Sequence, residues 1–167
     1  MEIIFRMEIL DVVDEQDKVI TNASRNEVYQ KSLSHRIVHV IIFNDKNEMA
    51  LQLRSAKVSF CPNHWSTTVG GHVQSGESYE EAALREFEEE LGITGKFKKF
   101  SKDYYNKEGT NKFLVTFTTI FNGPFQPDLK EVEKIDFFPL EKIKEMINDG
   151  EKFHPELLFL LNKYFLK

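Results

Sequence analysis

Cysteine is nearly absent from this sequence, and long apolar runs are missing altogether. Cys61 is the only cysteine in 167 residues, so the chain cannot form an intramolecular disulfide. Such cysteine usage is compatible with a reducing compartment. No apolar run reaches the length of about 20 residues that a helix needs to cross a bilayer, and the first residues lack the features of a signal peptide. We therefore expect a soluble, cytoplasmic protein with no membrane contact.

Positive charge is also in short supply. The 22 Lys and Arg residues are outnumbered by 27 Asp and Glu residues, which gives a net charge of −5. This balance argues against a general affinity for nucleic-acid backbones, although a nucleotide held through a metal ion is compatible with it. No repeat, low-complexity segment or linker divides the chain. We expect one domain, residues 1–167, that acts on a small molecule as a monomer or homodimer.

The sequence does contain an alternation of strand and helix patterns. Short β-branched and apolar runs predict strands, and two Ser-x-x-Glu capping boxes mark helix starts. The predicted strands cover residues 2–13, 19–20, 37–43, 48–54, 65–69, 96–105, 112–121 and 132–138; the predicted helices cover residues 24–31, 78–91, 140–148 and 155–165. This plan is an α+β fold with a hairpin and short helix in residues 1–34, a core in 35–139 and closing helices in 140–167.

The central predicted helix follows a glycine-bearing loop that starts at Gly71. Ser78 is its predicted N-cap and Gly92 its predicted left-handed C-cap. Ala83 and Phe87 are spaced four residues apart and form part of a core-facing stripe. The helix is therefore amphipathic, and its acidic residues occupy a neighbouring face.

Three of those acidic residues, Glu86, Glu89 and Glu90, share a single helical turn. Like charges at this spacing raise each other's pKa and destabilise the helix. A divalent cation placed among them would relieve the repulsion, and Mg²⁺ is typically held by a few carboxylates together with water and substrate phosphates. Arg85, four residues before Glu89, can orient one of the carboxylates. The alternative is an ordinary solvated acidic face.

The spacing of these residues resembles the Nudix box. That box reads Gly-x5-Glu-x7-Arg-Glu-U-x-Glu-Glu-x-Gly-U, where U is a bulky apolar residue. The sequence matches it at Gly71, Glu77, Arg85, Glu86, Phe87, Glu89, Glu90, Gly92 and Ile93. The resemblance implies a Nudix-type α/β/α sandwich with a mixed central sheet. It also implies Mg²⁺ or Mn²⁺ as cofactor and hydrolysis of a nucleoside diphosphate joined to another group.

The resemblance further implies a role for each matching residue. Glu86, Glu89 and Glu90 would be metal ligands, and Glu89 is our candidate for the group that also orients or deprotonates the attacking water. The backbone carbonyl of Gly70 would reach the metal as well. Arg85, which we include in the catalytic set, would brace the loop and helix together with Glu77. Metal ions on carboxylates neutralise developing charge and position water, so no nucleophilic Ser or Cys is required.

Other residues are candidates on weaker grounds. Glu131, in the loop before the last predicted strand, is a candidate catalytic residue, and Glu133 competes with it. Arg54, Gly71 and His72 are candidates for substrate binding, although a surface cation or a structural histidine is the ordinary alternative. The loops over residues 55–64 and 122–131 are expected to contact the leaving group.

Lysines are concentrated in the predicted hairpin over residues 96–121. We interpret them as edge-strand charges that oppose aggregation, in preference to a polyphosphate-binding surface. They are Lys96, Lys98, Lys99, Lys102, Lys107 and Lys112.

Residues 8–93 are also similar to the branch of the family related to isopentenyl-diphosphate isomerase. The similarity lies in Asp11 to Asp14, His35-Arg36, Pro62 to Trp65 and Gly71-His72. However, Gly70 stands where the isomerase has its catalytic Cys, and Thr110 and Lys112 stand where it has two Glu residues. His35 and His72 alone would be an incomplete metal site, and the groups needed to move a proton across a double bond are missing. We therefore predict a hydrolase, with an isomerase or a non-catalytic nucleotide-binding module as the alternatives.

Overall fold

The computed structural model describes residues 7–107 and 109–167. The start of the first predicted strand, residues 2–6, lies outside the described residues, as does Glu108 in the predicted hairpin turn. The described chain forms the following elements: β1 Ile9–Val13, β2 Val19–Ser24, α1 Arg25–Gln30, β3 His35–Phe43, β4 Met49–Arg54, β5 Trp65–Thr67, β6 Val69–His72, α2 Tyr79–Leu91, β7 Lys98–Lys107, β8 Thr110–Ile120, β9 Val132–Phe138, α3 Leu140–Asn148 and α4 Pro155–Leu160. A π-helical segment, Leu161–Phe165, follows α4.

The central sheet is built around β3, whose nine residues are mostly apolar and β-branched. β8 pairs with β3 in parallel, and β6 pairs with it antiparallel on the other side. β7 extends the sheet beyond β8. β4 joins β3 only at the pair Phe43 and Met49, and it carries β5 and β9 on its two edges. The mixed central sheet expected from the sequence is confirmed.

Helices cover both faces of this sheet. Val38, Val40 and Ile42 of β3 pack with the buried α2 residues Ala83 and Phe87 in one cluster. Ile41, which points to the opposite face because side chains alternate along a strand, packs with residues of α3 and α4. The arrangement is the predicted α/β/α sandwich, and it places α2 and α4 on opposite sides of β3.

The N-terminal hairpin is attached to the core through a buried aspartate. Asp17 accepts hydrogen bonds from Arg36 Nε at 2.7 Å, Tyr79 Oη at 2.7 Å and Lys102 Nζ at 2.5 Å. Burial acts to raise the pKa of Asp17, but these three hydrogen bonds outweigh it and the pKa is lowered. The hairpin is therefore joined to β3, α2 and β7 by one charged centre.

Three local predictions are corrected by the structure. The predicted strand over residues 65–69 is two strands, and Gly70 and Gly71 belong to β6 and not to a loop. The predicted closing helix is α-helical only to Leu160. At α1 only half of the capping box forms, because the Glu27 carboxylate binds Lys31 Nζ at 2.7 Å.

The interpretation of the hairpin lysines as edge charges is wrong for Lys112, which is buried in β8, an inner strand with β3 and β7 on its two sides. Lys102 does lie on the edge strand β7, and its ammonium binds Asp17. Within the residues that the structure describes, none of the helices has both the length and the apolar character required to cross a bilayer.

Candidate active site

The helix α2 forms where the sequence predicts it, and its ends are fixed by side chains and backbone. Ser78 and Glu81 make the reciprocal capping box, and Gly92 adopts the left-handed conformation at φ 68°. Ala82, Ala83 and Phe87 are buried against the sheet. This packing leaves Glu86 and Glu90 beside Gly71 and Gly70 of β6, while Glu89 is exposed to solvent.

Arg85 connects this helix to the preceding loop. Its guanidinium donates to both carboxylate oxygens of Glu77, at 2.5 and 3.0 Å, and to the backbone carbonyl of His72 at 3.0 Å. It also donates to Glu86 at 2.9 Å and to Glu89 at 3.4 Å. With its donors directed to these groups, Arg85 is placed to hold the loop and to orient two carboxylates.

The Glu86 carboxylate lies directly against the backbone of Gly71. A Cβ atom at position 71 would stand 2.3 Å from Glu86 Oε1, so the carboxylate at the end of that side chain would have to move. The sequence predicts Gly71 as a substrate-binding residue. Because it has no side chain, it also leaves space for the Glu86 carboxylate. Burial raises the pKa of Glu86 to about 7 although the hydrogen bond from Arg85 opposes the shift.

Of the three carboxylates, Glu90 lies in the environment that most disfavours the anionic form. Its Oε2 atom is shielded from solvent and has no hydrogen-bond partner. Burial raises its pKa well above the usual range, the negative charge of Glu86 adds to the shift, and a hydrogen bond with the backbone of Gly70 reduces it. An unpartnered buried carboxylate oxygen is costly, so this position calls for a cation or proton.

Glu86, Glu89, Glu90 and Glu131 line one continuous wall, which we call the acidic rim. Glu86, Glu90 and Glu131 border two adjoining cavities of about 520 and 750 Å³, and Glu89 borders the larger one. Glu131 precedes β9, where its backbone carbonyl accepts a hydrogen bond from Ser55 N at 2.9 Å. Glu133 is exposed in β9 and is not among the residues that border these two cavities.

The predicted substrate-binding residues also border the smaller cavity. His72 does so beside Gly71, and its Nε2 atom shares a hydrogen bond with the Tyr29 hydroxyl at 2.6 Å. Arg54 borders both cavities, and its Nε atom donates to the carbonyl of Phe60 at 3.0 Å. Phe60 lies in the predicted loop over residues 55–64, so this loop borders the cavity; its contact with a leaving group stays a prediction.

His35, the second histidine of the incomplete metal site, stacks on His72 with ring centroids 5.7 Å apart. Its Nδ1 atom lies 2.9 Å from the Leu33 carbonyl, which can only accept, so Nδ1 carries the proton. Burial lowers the pKa of His35 to about 4 and that of His72 to about 3. In the part of the chain that the structure describes, no three His, Cys, Asp or Glu side chains are gathered into a ready-made metal site.

Sequence reasoning missed a second charged group in the smaller cavity, which we call the buried floor. It consists of Lys112, Glu156 and His39. Glu156 accepts from Lys112 Nζ at 3.1 Å through one oxygen and pairs with His39 Nε2 at 2.9 Å through the other. Burial acts to raise the pKa of Glu156, but His39 and Lys112 lower it far below its usual range. Glu156 lies on α4, outside any motif, so only the fold brings it to β3 and β8.

Comparison with known proteins places this architecture and its acidic helix in a family. The family model of the NUDIX domain matches residues 33–161 of the sequence. This range includes β3, the whole of α2 and the buried floor. This chain belongs to the Nudix family. It is also 32% identical over 162 residues to an uncharacterised Nudix hydrolase of Yersinia pestis, covering 96% of this chain and 87% of that protein.

Two solved structures extend the Nudix comparison. A protein of Deinococcus radiodurans superposes with a TM-score of 0.84 at 25% identity, covering 95% of this chain and 99% of that one. The NUDIX domain of NrtR from Shewanella oneidensis, solved in complex with ADP ribose, superposes with a TM-score of 0.60 at 17% identity, covering 84% and 96%. The family and the named relatives identify this protein as a hydrolase of the Nudix type.

Proposed function

We propose that this Nudix protein hydrolyses the diphosphate bond of a nucleoside diphosphate derivative and requires Mg²⁺ or Mn²⁺. The observation that carries the proposal is the excess of negative charge on the acidic rim. Glu86 and Glu90 are drawn together beside a cavity, their pKa values are raised, and one oxygen of Glu90 has no partner. Hard oxygen donors with unsatisfied charge fit a hard divalent cation.

Glu86, Glu89 and Glu90, together with the Gly70 carbonyl, would hold the cation. When bound, the cation would supply charge neutralisation for the diphosphate and a lowered pKa for coordinated water. Arg85 orients Glu86 and Glu89 through its hydrogen bonds. Glu89 and Glu131 are the two candidates for the group that takes the proton of the attacking water, because both border the larger cavity and are exposed to solvent.

Arg54 would bind the substrate phosphates. Its side chain borders both cavities, as do Glu86, Glu90 and Glu131 of the acidic rim. A planar guanidinium suits bidentate binding of phosphate oxygens. The complex of the NrtR domain with ADP ribose supports a nucleotide-derived ligand in this fold.

Within the family we place the chain near the isomerase-related branch but assign it hydrolysis. Two features of this cavity support the assignment. Gly70 has no side chain that could act as an acid or nucleophile, and the Lys112 ammonium is paired with Glu156. An isomerase needs a proton donor and acceptor on opposite faces of the substrate, whereas phosphoryl transfer depends mostly on charge neutralisation and positioning.

The test is a screen of nucleoside diphosphate derivatives, including ADP-ribose, with Mg²⁺ and with Mn²⁺. We expect cleavage of at least one compound and a loss of turnover of at least about a hundredfold in Glu90→Gln. Glu88→Gln, on the exposed side of the same helix, is the matched control and should keep full activity. Full activity in a folded Glu90→Gln variant would refute the assignment.

Two further assays separate the alternatives. An isomerase would change the ratio of allylic diphosphate isomers without releasing phosphate or a nucleoside monophosphate. A binding module would retain nucleotide in calorimetry but show no turnover with either metal ion.

A further inference from the structure

Lys112 is a buried cation, and the proposed hydrolysis of the diphosphate gives it no role. It lies in β8 directly opposite His35 of β3, its side chain is 9% exposed, and it borders the smaller cavity. Lysine is rarely fully buried unless its ammonium group is paired with an opposite charge. Its partner is Glu156, which lies 3.1 Å from Nζ.

Lys112 retains hydrogen-bonding capacity toward the cavity. An ammonium group has three N–H donors; Glu156 accepts one of them, and the Tyr29 side chain accepts a second. The Tyr29 ring lies beside the ammonium, with its centroid 5.4 Å from Nζ, and borders the same cavity. One donor of Lys112 is therefore left for a ligand in the cavity.

A second cation, Arg25, borders the same cavity and also the larger one. Among the described residues, the Arg25 guanidinium contacts a single carboxylate, that of Glu8, at 3.4 Å, and its side chain is 54% exposed. A guanidinium has five N–H donors, so most of those of Arg25 are directed to solvent or cavity. His35 and His72 stack beside Tyr29, with the Tyr29 hydroxyl 2.6 Å from His72 Nε2.

Lys112, Arg25 and Tyr29 border the same cavity as Glu86, Glu90 and Glu131 of the acidic rim. The rim is suited to metal and diphosphate, whereas an ammonium, a guanidinium and a phenol are suited to an anion or another group rich in hydrogen-bond acceptors. A cavity of about 520 Å³ leaves room for a substrate that contacts both sets of residues.

We propose that Lys112, Arg25 and Tyr29 form a second binding subsite, which holds an anionic group, phosphate or carboxylate, on the part of the substrate beyond the diphosphate. This assignment rests on the proposed function, since the acidic rim defines where the diphosphate lies. It narrows the substrate class to nucleoside diphosphate derivatives that carry a further negative charge.

The test measures binding to the metal-free protein, so that it does not depend on turnover. Inorganic phosphate and malonate are titrated at constant ionic strength set with chloride. Calorimetry gives the affinity, and the imidazole ¹⁵N shifts of His35 and His72 report whether the anion binds at this subsite. We expect saturable binding with a shift at His72. Tighter binding of phosphate assigns a phosphate to the subsite, and tighter binding of malonate assigns a carboxylate.

Variants test which residues contribute to anion binding. The double variant Lys112→Gln, Glu156→Gln removes both charges of the pair, so that no unpaired buried charge is left to unfold the protein. It should bind the preferred anion at least about tenfold more weakly, which corresponds to the loss of one charge-assisted hydrogen bond. Lys112→Arg should retain binding, and Lys98→Gln, an exposed lysine of β7, is the matched control.

Two outcomes would overturn the proposal. One is the absence of saturable binding in the wild-type protein, and the other is equal binding by the wild type and the double variant. Either outcome would leave the hydrolysis assay with Glu90→Gln unaffected, because that assay depends on the acidic rim alone. Conversely, an anion bound through Lys112 in a protein without turnover would separate the subsite from the proposed activity.

Discussion

The acidic rim and the buried floor border the same cavity, but their carboxylates are compensated to different extents. On the floor, each charged atom has a partner, and the pKa of Glu156 is lowered because its anionic form is stabilised by His39 and Lys112. On the rim, the pKa values of Glu86 and Glu90 are raised, because burial and mutual repulsion disfavour the anions. The floor compensates its buried carboxylate with groups of its own, whereas the rim holds negative charge that a cation or a proton would compensate.

This difference separates buried carboxylates that the fold compensates from buried carboxylates that it leaves without donors. A protein that buries a carboxylate for stability provides donors for it, as around Glu156 and Asp17. A protein that buries carboxylates without donors accepts a cost in stability, and such sites are candidates for metal binding or catalysis. Removing a charge should therefore have opposite effects in the two regions.

The largest expected effect on stability is at the floor. Lys112→Met leaves Glu156 buried with only His39 as partner, so the free energy of unfolding should fall by about 3 kcal/mol. The double variant Lys112→Gln, Glu156→Gln should recover most of this loss, because both charges are gone. Urea unfolding followed by circular dichroism measures both values. A single variant as stable as the wild type would show that the pair is not a stabilising unit.

The largest expected effect on activity at the rim comes from a residue without a side chain. In Gly71→Ala the new Cβ would overlap Glu86 Oε1, so the carboxylate must move. We expect turnover to fall by about a hundredfold, as for the loss of one positioned catalytic group. Gly76→Ala makes no contact within 4 Å, although its φ of 83° strains the variant. It therefore controls for a general loss of stability.

Equal turnover in Gly71→Ala and the wild type would mean that the position of Glu86 in this structure is not the active one. Measuring the affinity for Mn²⁺ by calorimetry in the same variant separates loss of the metal from loss of chemistry.

Most of the rim could be predicted from the sequence, and the floor could not. The residues of the rim are local: Glu86, Glu89 and Glu90 fall within one turn, and the spacing that brings them together is a property of any helix. The floor joins Lys112 of β8 and Glu156 of α4 to His39 of β3, across as many as 117 positions. No period or motif connects such residues, so their meeting depends on sheet order and on the docking of α4.

The errors in the local predictions have the same origin. The high lysine content of the hairpin favours an edge position for Lys112, yet the parallel pairing of β3 with β8 makes β8 an inner strand. The sequence predicts that the strand ends at Val69 before a glycine-bearing loop, yet Gly70 and Gly71 both pair with β3 in β6. Packing requirements explain these glycines, since His39 lies 3.1 Å from a Cβ at position 70 and Glu86 lies 2.3 Å from one at position 71.

A smaller effect of opposite sign is expected when a charge is removed from the rim. Glu90→Gln takes away a buried carboxylate that has an unpartnered oxygen, so the metal-free variant should be more stable than the wild type by about 1 kcal/mol. Added Mn²⁺ should raise the melting temperature of the wild type and have less effect on the variant. A metal-free variant that is less stable than the wild type would mean that Glu90 is satisfied as it stands.

The pH dependence of stability should also distinguish the two regions, with the smallest effects. The pKa of Glu86 is raised from 4.5 to about 7, so in the metal-free protein its anion destabilises the fold progressively as the pH rises from about 4.5 to 7. Above pH 7 the loss is complete and constant. The difference in free energy of unfolding between Glu86→Gln and the wild type should therefore increase across this interval.

For Glu156 the pH dependence of stability has the opposite sign, because its pKa is lowered below 4.5. Its stabilising effect is fully present above that pH and disappears on acidification. Urea unfolding of both Gln variants between pH 4 and 8 without metal would test the contrast. The difference from the wild type should change with pH for Glu86→Gln and stay nearly constant for Glu156→Gln. Parallel curves would show that rim and floor do not differ in charge compensation.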